Sequence, residues 1–188
     1  MPLPDLTSEE LWPTAIHEAG HAVIARVLGL PCGKVEIGQR GKINGLCVIA
    51  DPQDALKAWH VGGRTHRTLR TAQRAKIIAY MAGGSAEEEC IGRSRGGDFD
   101  DLFCAATLVL DLIGDEDGHL DGLTKGEHSQ RRLRKVTGHL VKRHRRSIEA
   151  LAHALLQEGV ITDKRVRSLI GFALPRGSAV ARRHSKPR

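Results

Sequence analysis

The sequence predicts a mainly α, multihelical domain that includes a small β-hairpin. Aromatic residues make up only 3% of the 188 residues, so the core must be built from Ala, Leu, Val and Ile, which suits packed helices. Apolar residues recur at helical spacing in several long segments. The exception is "KVEIGQRGKINGLCVIA", in which two β-prone runs, residues 34–37 and 46–49, flank a Gly-rich connection.

The first helical segment contains the motif "HEAGH", residues 17–21. Thr7 opens a capping-box pattern, and we expect Pro13 to end or kink that first turn. Pro13 also fits the first position of a second helix, which Gly29 would cap at its end. After the hairpin, residues 51–67 have little periodicity and contain "VGGR", which predicts a long, mobile loop.

The second half of the chain is predicted to be helical. Periodicity returns at Thr68 and leads into "AGGSAEEECIG", and aspartates in "RSRGGDFDD" open the next helix, "LFCAATLVLDLIG". The segment "GDEDGHLDGLTKGEH" is not an EF-hand calcium loop, because its glycine falls at the fourth position rather than the sixth. A long helix begins at Ser129, a further helix ends at Gly159, and Thr162 caps a last helix.

Length and charge indicate one domain with a basic end. A single domain is expected over residues 1–174, and a basic, disordered tail over residues 175–188. The net charge is +7, and basic residues cluster in residues 131–146 and in that tail. Such clusters attract nucleic acid, acidic protein surfaces or anionic lipid, although a solvated helix face is the simpler interpretation.

No membrane span and no secretion signal are predicted. Apolar runs fall short of the eighteen or so residues that a span requires, and "MPLPDLTSEELW" lacks a basic start and an apolar stretch. We therefore expect a cytoplasmic protein. The four cysteines show neither zinc-knuckle spacing nor the density of a disulfide scaffold, which predicts scattered, buried thiols.

The motif "HEAGH" has the residue types and spacing of a zinc hydrolase site. Residues four apart on a helix face the same way, so His17 and His21 can present two imidazoles to one metal ion. Glu18 projects beside them, where it can take a proton from zinc-bound water. A catalytic zinc needs a third protein ligand, and spacing alone does not choose it. The candidates by residue type are Asp98, Asp100, Asp101, Glu87, Glu88, Glu89 and the distant histidines.

Several ordered motifs resemble the peptidase domain of the FtsH family, the membrane-anchored ATP-dependent zinc proteases. They are "HEAGHAVIA", "VEIGQRG" with "NGL", "MAGGSAEEECIG", "GGDFDDLFCAAT" and "IEALAHALLQEGVITDKRVRSLI", and together they span roughly residues 8–172. The resemblance implies an FtsH-like multihelical fold, Zn²⁺ as cofactor and peptide hydrolysis. It also implies Asp101 as the third zinc ligand, Glu87 as a residue that supports the ligand histidines, and an extended substrate paired with the sheet edge. The implied substrate-binding residues are Leu46, Cys47, Val48 and Ile49.

The sequence also departs from that family. FtsH proteins carry transmembrane segments and an ATPase, whereas these 188 residues contain no G-x-x-x-x-G-K-[ST] loop, so a stand-alone peptidase part is expected. The expected partners are a polypeptide substrate and either a separate ATPase or further copies of the chain. Two other functions remain open from the sequence: a nucleic-acid-associated binding or regulatory protein on the same scaffold, and a dedicated protease for one regulatory partner.

Overall fold

The computed structural model describes residues 7–39, 43–94, 99–114 and 122–173. Over these ranges the chain is mainly helical with one small sheet, as the sequence predicts. The elements in chain order are α1 (Ser8–Val27), β1 (Cys32–Gln39), β2 (Ile43–Ile49), α2 (Pro52–Val61), α3 (Leu69–Tyr80), α4 (Ala82–Ile91), α5 (Phe99–Gly114), α6 (Gly122–Glu158), β3 (Val160–Ile161) and α7 (Asp163–Ala173).

Helix α1 is the centre of the fold, and it is one continuous helix. The predicted capping box is present, since Thr7 accepts a hydrogen bond from the Glu10 backbone and Glu10 accepts one from the Thr7 backbone. The predicted helix end at Pro13, with a second helix beginning there, is wrong, because Pro13 lies buried inside the helix. Proline forfeits one helical hydrogen bond, but Leu11 and Trp12 on the preceding turn pack against the main core and hold that turn in place.

Helix α1 packs against α4 and α6. The contact with α4 is close because both helices carry small residues there. A Cβ atom at Gly20 would lie 2.7 Å from the carbonyl oxygen of Ala82 and 2.7 Å from Cβ of Ala86. A side chain at Gly20 would therefore push the two helices apart, and the glycine fixes how near α4 comes to the motif helix.

The predicted hairpin is confirmed and is longer than expected. Strands β1 and β2 pair antiparallel, with Val35 opposite Cys47 and Ile37 opposite Gly45. A third strand, β3, was not predicted; it pairs antiparallel with β1 on the other side. The strand order is β2-β1-β3, so β2 lies at an edge of this sheet.

The prediction of scattered, buried thiols is wrong in two respects. Cys104 is exposed, and Cys47 and Cys90 are only half-buried. Cys32 and Cys47 are not scattered, because the hairpin brings their sulfur atoms to 3.7 Å from each other.

The predicted loop over residues 51–67 is also wrong, because most of it forms helix α2. Asp51 caps this helix by accepting a hydrogen bond from Gln53 N at 2.9 Å, and proline occupies its first turn. Its buried face beyond the first turn consists of Ala55 and Trp59 alone. Two apolar residues four apart are too few to show helical periodicity in the sequence, which is why the prediction failed.

The long helix α6 replaces the two helices expected from Ser129 to Gly159. No breaking residue separates the two predicted parts, and Arg145 pairs with Glu149 across the junction at 2.8 Å. Gly159, with φ of 69°, ends the helix as predicted. Residues 115–121 of the discounted calcium-loop segment lie outside the described residues, and residues 122–128 of it form the beginning of α6. The predicted tail also lies outside the described residues. Within the described ranges, no helix combines the length and apolarity needed to cross a membrane.

Candidate metal centre

The three motif side chains on α1 are buried polar groups. His17 is 8% exposed, Glu18 is 7% exposed and His21 is 4% exposed, and the other residues between positions 15 and 25 of this helix are apolar. Burial of three ionisable groups is costly unless each one finds partners. Their surroundings therefore show what the site is built to hold.

Asp101, on the first turn of α5, completes a compact cluster with the two histidines. Its Oδ2 atom lies 3.0 Å from Nε2 of His17 and 3.0 Å from Nε2 of His21. One potential ligand atom from each of the three residues lies within 4.8 Å of the other two. A single ion placed among these atoms could therefore reach two imidazole nitrogens and one carboxylate oxygen.

The other nitrogen of each ring is already occupied. Nδ1 of His21 lies 2.8 Å from the carbonyl oxygen of Ala79, and Nδ1 of His17 lies 2.8 Å from Oε1 of Glu87. A carbonyl oxygen only accepts, so Nδ1 of His21 carries the hydrogen and donates it, and the Glu87 carboxylate selects the same tautomer in His17. In the neutral rings both Nε2 lone pairs then face the Asp101 carboxylate. Such an arrangement needs a cation between the groups, either protons on the rings or a metal ion.

The pKa shifts of His17 and Asp101 also indicate that the site favours positive charge. Burial lowers the pKa of His17, but the hydrogen bonds to Asp101 and Glu87 outweigh it and raise the pKa from 6.5 to about 10. Burial raises the pKa of Asp101, yet the hydrogen bonds from His17 and His21 hold it well below its usual value. Two histidines and one carboxylate, with each ring fixed by an outer hydrogen bond, are the donor set of a catalytic zinc site. The residues present therefore fit zinc.

Two glycines leave the space that the site requires. A Cβ atom at Gly83 of α4 would lie 2.5 Å from Nε2 of His21 and 2.6 Å from Nε2 of His17. A Cβ atom at Gly45 of β2 would lie 2.5 Å from Cγ and 2.7 Å from Cδ of Glu18. Backbone alone thus approaches both the imidazole nitrogens and the Glu18 carboxyl group.

The cluster opens into a cleft of about 640 Å³ between α1, β2 and the start of α5. Glu18 lines this cleft, and burial raises its pKa above the usual 4.5, although the neighbouring histidines oppose the shift. Residues 46–49 of β2 line one wall, and the side chains of Leu46 and Val48 are 44% and 41% exposed. Thr14 and Tyr80 also line the cleft and were not singled out from the sequence.

The structure brings together every residue in the predicted site. His17, His21 and Asp101 form the cluster, Glu87 holds His17, and Glu18 faces the cleft. Among the alternative third ligands, Asp100 and Glu88 are exposed and outside the cluster, Glu89 is half-buried and pairs with Arg145 at 3.5 Å, and Asp98 lies outside the described residues. The sequence did not identify Gly83, Gly45 or the Ala79 carbonyl as parts of the site. The two adjacent glycines in "MAGGSAEE" were the feature from which a role for Gly83 could have been predicted.

Sequence comparison finds similarity to proteins named as ATP-dependent zinc metalloproteases. The chain is 31% identical over 110 residues to FtsH 1 of Sorangium cellulosum, an alignment of 57% of this chain and 16% of that protein. It is 28% identical over 178 residues to FtsH 3 and to FtsH 1 of Phytoplasma mali, covering 86% of this chain and 28% of each relative. The chain thus spans less than a third of the length of these relatives. No family model matches the chain. The low-identity matches support a relationship between this chain and the FtsH zinc metalloproteases, and they suggest a protease.

Proposed function

We propose that the chain is a zinc-dependent metallopeptidase that hydrolyses peptide bonds in unfolded or flexible polypeptides. The observation that carries the proposal is the convergence of His17 Nε2 and His21 Nε2 on Asp101 Oδ2, with both Nδ1 atoms already engaged. His17, His21 and Asp101 would hold the ion. Bound zinc supplies a Lewis acid that polarises a carbonyl group and lowers the pKa of a coordinated water to about 7.

Glu18 is the residue proposed to move the proton. It follows a ligand histidine on α1, lines the cleft and contacts the β2 backbone at Gly45. The burial that raises its pKa brings the carboxyl group nearer to the range in which it can take a proton from the attacking water and return it to the leaving amine.

Strand β2 is the proposed substrate platform. It lies at the edge of the sheet, and residues 46–49 line the cleft. An extended peptide that pairs with this edge would place its backbone beside Glu18 and the metal cluster. Exposed Leu46 and Val48 would contact alternate side chains of that peptide. Backbone pairing tolerates many sequences, in keeping with unfolded or flexible substrates.

The test is the Glu18→Gln variant of the full chain, with Glu88→Gln as the matched control on an exposed position. Zinc content is measured by mass spectrometry of the metal, and hydrolysis is followed with an unfolded, fluorescently quenched protein substrate. We expect the control to retain zinc and activity, and Glu18→Gln to retain zinc but lose hydrolysis by at least about 100-fold. Unchanged hydrolysis in Glu18→Gln, or purified protein without zinc, contradicts the proposal.

The physiological substrate follows from the same variant. An inactive chain that still binds peptide can trap its substrate, and one dominant captured protein would indicate a dedicated regulatory protease. Many captured proteins would indicate general degradation. Delivery of substrates by a separate ATPase, or by an assembly of several copies of this chain, remains a proposal that co-purification and mass measurement in solution would test.

A nucleic-acid-associated role is the second candidate, and the exposed face of α6 favours it. From residue 131 to residue 146 this helix contains no acidic residue, and its exposed side chains include many arginines and lysines. Arg145 pairs with Glu89 and Glu149, whereas the remaining cations have no acidic partner in the part of the chain that the structure describes. These cations are Arg131, Arg132, Arg134, Lys135, Lys142, Arg143 and Arg146. They follow one helix face for about 22 Å, a length that suits a line of phosphates.

Fluorescence anisotropy with duplex DNA at several salt concentrations tests this role. Binding through phosphates gives a linear fall of log affinity with log salt, by about 0.9 for each phosphate contact. Replacement of Arg134, Lys135 and Lys142 by Gln should reduce that slope, whereas Gln at exposed Lys57 and Lys164 should not. Absent or salt-insensitive binding contradicts the nucleic-acid role.

A further inference from the structure

The thiol pair Cys32 and Cys47 lies next to the candidate metal centre, and Cys47 lines its cleft. Their Sγ atoms are 3.7 Å apart on adjacent strands of the hairpin. Cys47 pairs with Val35 and Cys32 pairs with Ile49, so the two cysteines are diagonal neighbours across an irregularity in the β1–β2 register. Cys47 belongs to the proposed substrate platform, but no function described above uses the chemistry of its thiol or of the Cys32 thiol.

Cys47 connects the thiol pair to the proposed chemistry. It lines the cleft and is half-buried, so it is the thiol of the pair nearer to small solutes in the cleft, whereas Cys32 is only 4% exposed and belongs to the core. Residues two apart on a strand share a face, and Gly45, two residues before Cys47, lies against the Glu18 carboxyl group. A change in the position of Cys47 is therefore passed along β2 to the backbone that contacts Glu18.

We propose that Cys32 and Cys47 form an oxidation site, which a hydroperoxide converts into a cross-strand disulfide that slows hydrolysis at the neighbouring centre. The effect on hydrolysis rests on the proposed metallopeptidase function, whereas formation of the disulfide does not.

The chemistry balances in two steps. A hydroperoxide that enters the cleft transfers one oxygen to the Cys47 sulfur and leaves as water or an alcohol, which gives a sulfenic acid. The Cys32 sulfur then attacks the Cys47 sulfur, the S–S bond forms, and the sulfenic oxygen leaves as water with the second thiol hydrogen. The two thiols lose two electrons and the peroxide gains them. The hydrogen bond between the thiols lowers the pKa of Cys32, which favours it as the attacking sulfur in the second step. The same hydrogen bond, together with burial, raises the pKa of Cys47, which slows the first step because the thiolate is the form that reacts with a hydroperoxide.

The geometry explains why the disulfide should affect the site. The sulfur atoms must close from 3.7 Å to about 2.05 Å, so they approach by about 1.6 Å. Part of this approach is taken up by side-chain rotation and part by movement of the edge strand β2. Gly45 has no free space toward Glu18, so movement of β2 displaces either the substrate platform or the carboxyl group. A misplacement of about 1 Å can cost up to about 100-fold in rate.

The test uses the full chain with Cys90→Ser and Cys104→Ser, which leaves only the two cysteines of interest. After hydrogen peroxide treatment, mass spectrometry of an unreduced digest should find the Cys32 and Cys47 peptides linked, with the loss of two hydrogens. We expect hydrolysis to slow by about tenfold or more and to recover with dithiothreitol. Adding Cys32→Ala, or Cys47→Ser if the first variant folds poorly, should abolish both the link and the thiol-reversible loss.

Two results would overturn the proposal. One is the absence of the linked peptide under conditions that oxidise exposed Cys104 in the unmodified chain. The other is a formed disulfide with unchanged hydrolysis. If the reduced protein hydrolyses no peptide at all, the proposed function fails on its own, and the linked peptide still reports separately on the oxidation site.

Discussion

Gly83 is the residue at which the metal centre should be most sensitive to a single methyl group. In Gly83→Ala the added Cβ would lie 2.5 Å from His21 Nε2 and 2.6 Å from His17 Nε2, whereas ordinary contact begins at 3.4 Å. The two nitrogens would have to retreat by about 0.8 to 0.9 Å, which far exceeds the tolerance of about 0.2 Å in ligand distances at a zinc site. At least one imidazole should then be lost as a ligand. We expect zinc affinity to fall by at least about 100-fold, or about 2.7 kcal/mol.

Gly138→Ala is the matched control. It makes the same chemical change on the exposed side of α6, where a Cβ would meet nothing within 4 Å. Alanine there should leave zinc affinity unchanged and stabilise the fold by about 0.5–1 kcal/mol, because glycine is a poor helix former. Zinc affinity is measured by competition with a chromogenic chelator, and helix content and thermal unfolding by circular dichroism. Wild-type zinc affinity in a folded Gly83→Ala variant would refute the placement of α4 over the imidazole nitrogens.

Three further predictions concern the same centre. Asp101→Asn should lose stoichiometric zinc while Asp100→Asn retains it, as metal analysis of the purified variants will show; equal zinc in both would contradict the choice of ligand. Glu87→Gln keeps an acceptor for His17 Nδ1 but removes the charge, so zinc affinity should fall by about tenfold relative to a Glu88→Gln control. An unchanged affinity would show that the charge of Glu87 does not contribute to zinc binding. In the metal-free protein the protonated His17 ring stabilises the folded state, because its pKa is raised from 6.5 to about 10. This contribution is complete below pH 6.5 and is lost as pH rises toward 10. The free energy of unfolding in urea of the metal-free protein should therefore fall over that interval. In a His17→Gln variant the free energy of unfolding should depend less on pH.

Local sequence signals were sufficient for the parts of the fold that local interactions stabilise. The capping box at Thr7, the hairpin runs and the helix end at Gly159 are each found where the sequence places them. In each case a cap, an alternation of side chains or a positive φ acts within a few residues. The "HEAGH" motif on α1 could be recognised for the same reason, because two histidines four apart on a helix share a face by geometry alone.

The failures occurred where distant contacts outweigh local preference. Pro13 stays inside α1 because the core holds the turn before it, and α2 forms although only Ala55 and Trp59 face inward beyond its first turn. Strand β3 contains two residues, and it exists because β1 offers a free edge for pairing. None of these contacts produces a hydrophobic periodicity that can be detected in the sequence.

The sequence by itself determined that two histidines and a glutamate share one helix face and that carboxylates follow far along the chain. Residue spacing left the third ligand open and the family resemblance implied Asp101, and the tertiary structure decided that this carboxylate completes the cluster. Asp100 and Asp101 differ by one position, and a helix turns by about 100° per residue, so the docking of α5 on the rest of the fold sends one toward the imidazoles and leaves the other exposed. The tertiary structure likewise placed Glu87 on His17, the backbone of Gly83 over both imidazole nitrogens, and Cys47 beside Cys32. The contact of Glu87 with His17 joins residues 70 positions apart, which only packing brings within reach, whereas the register of the hairpin brings Cys47 to Cys32.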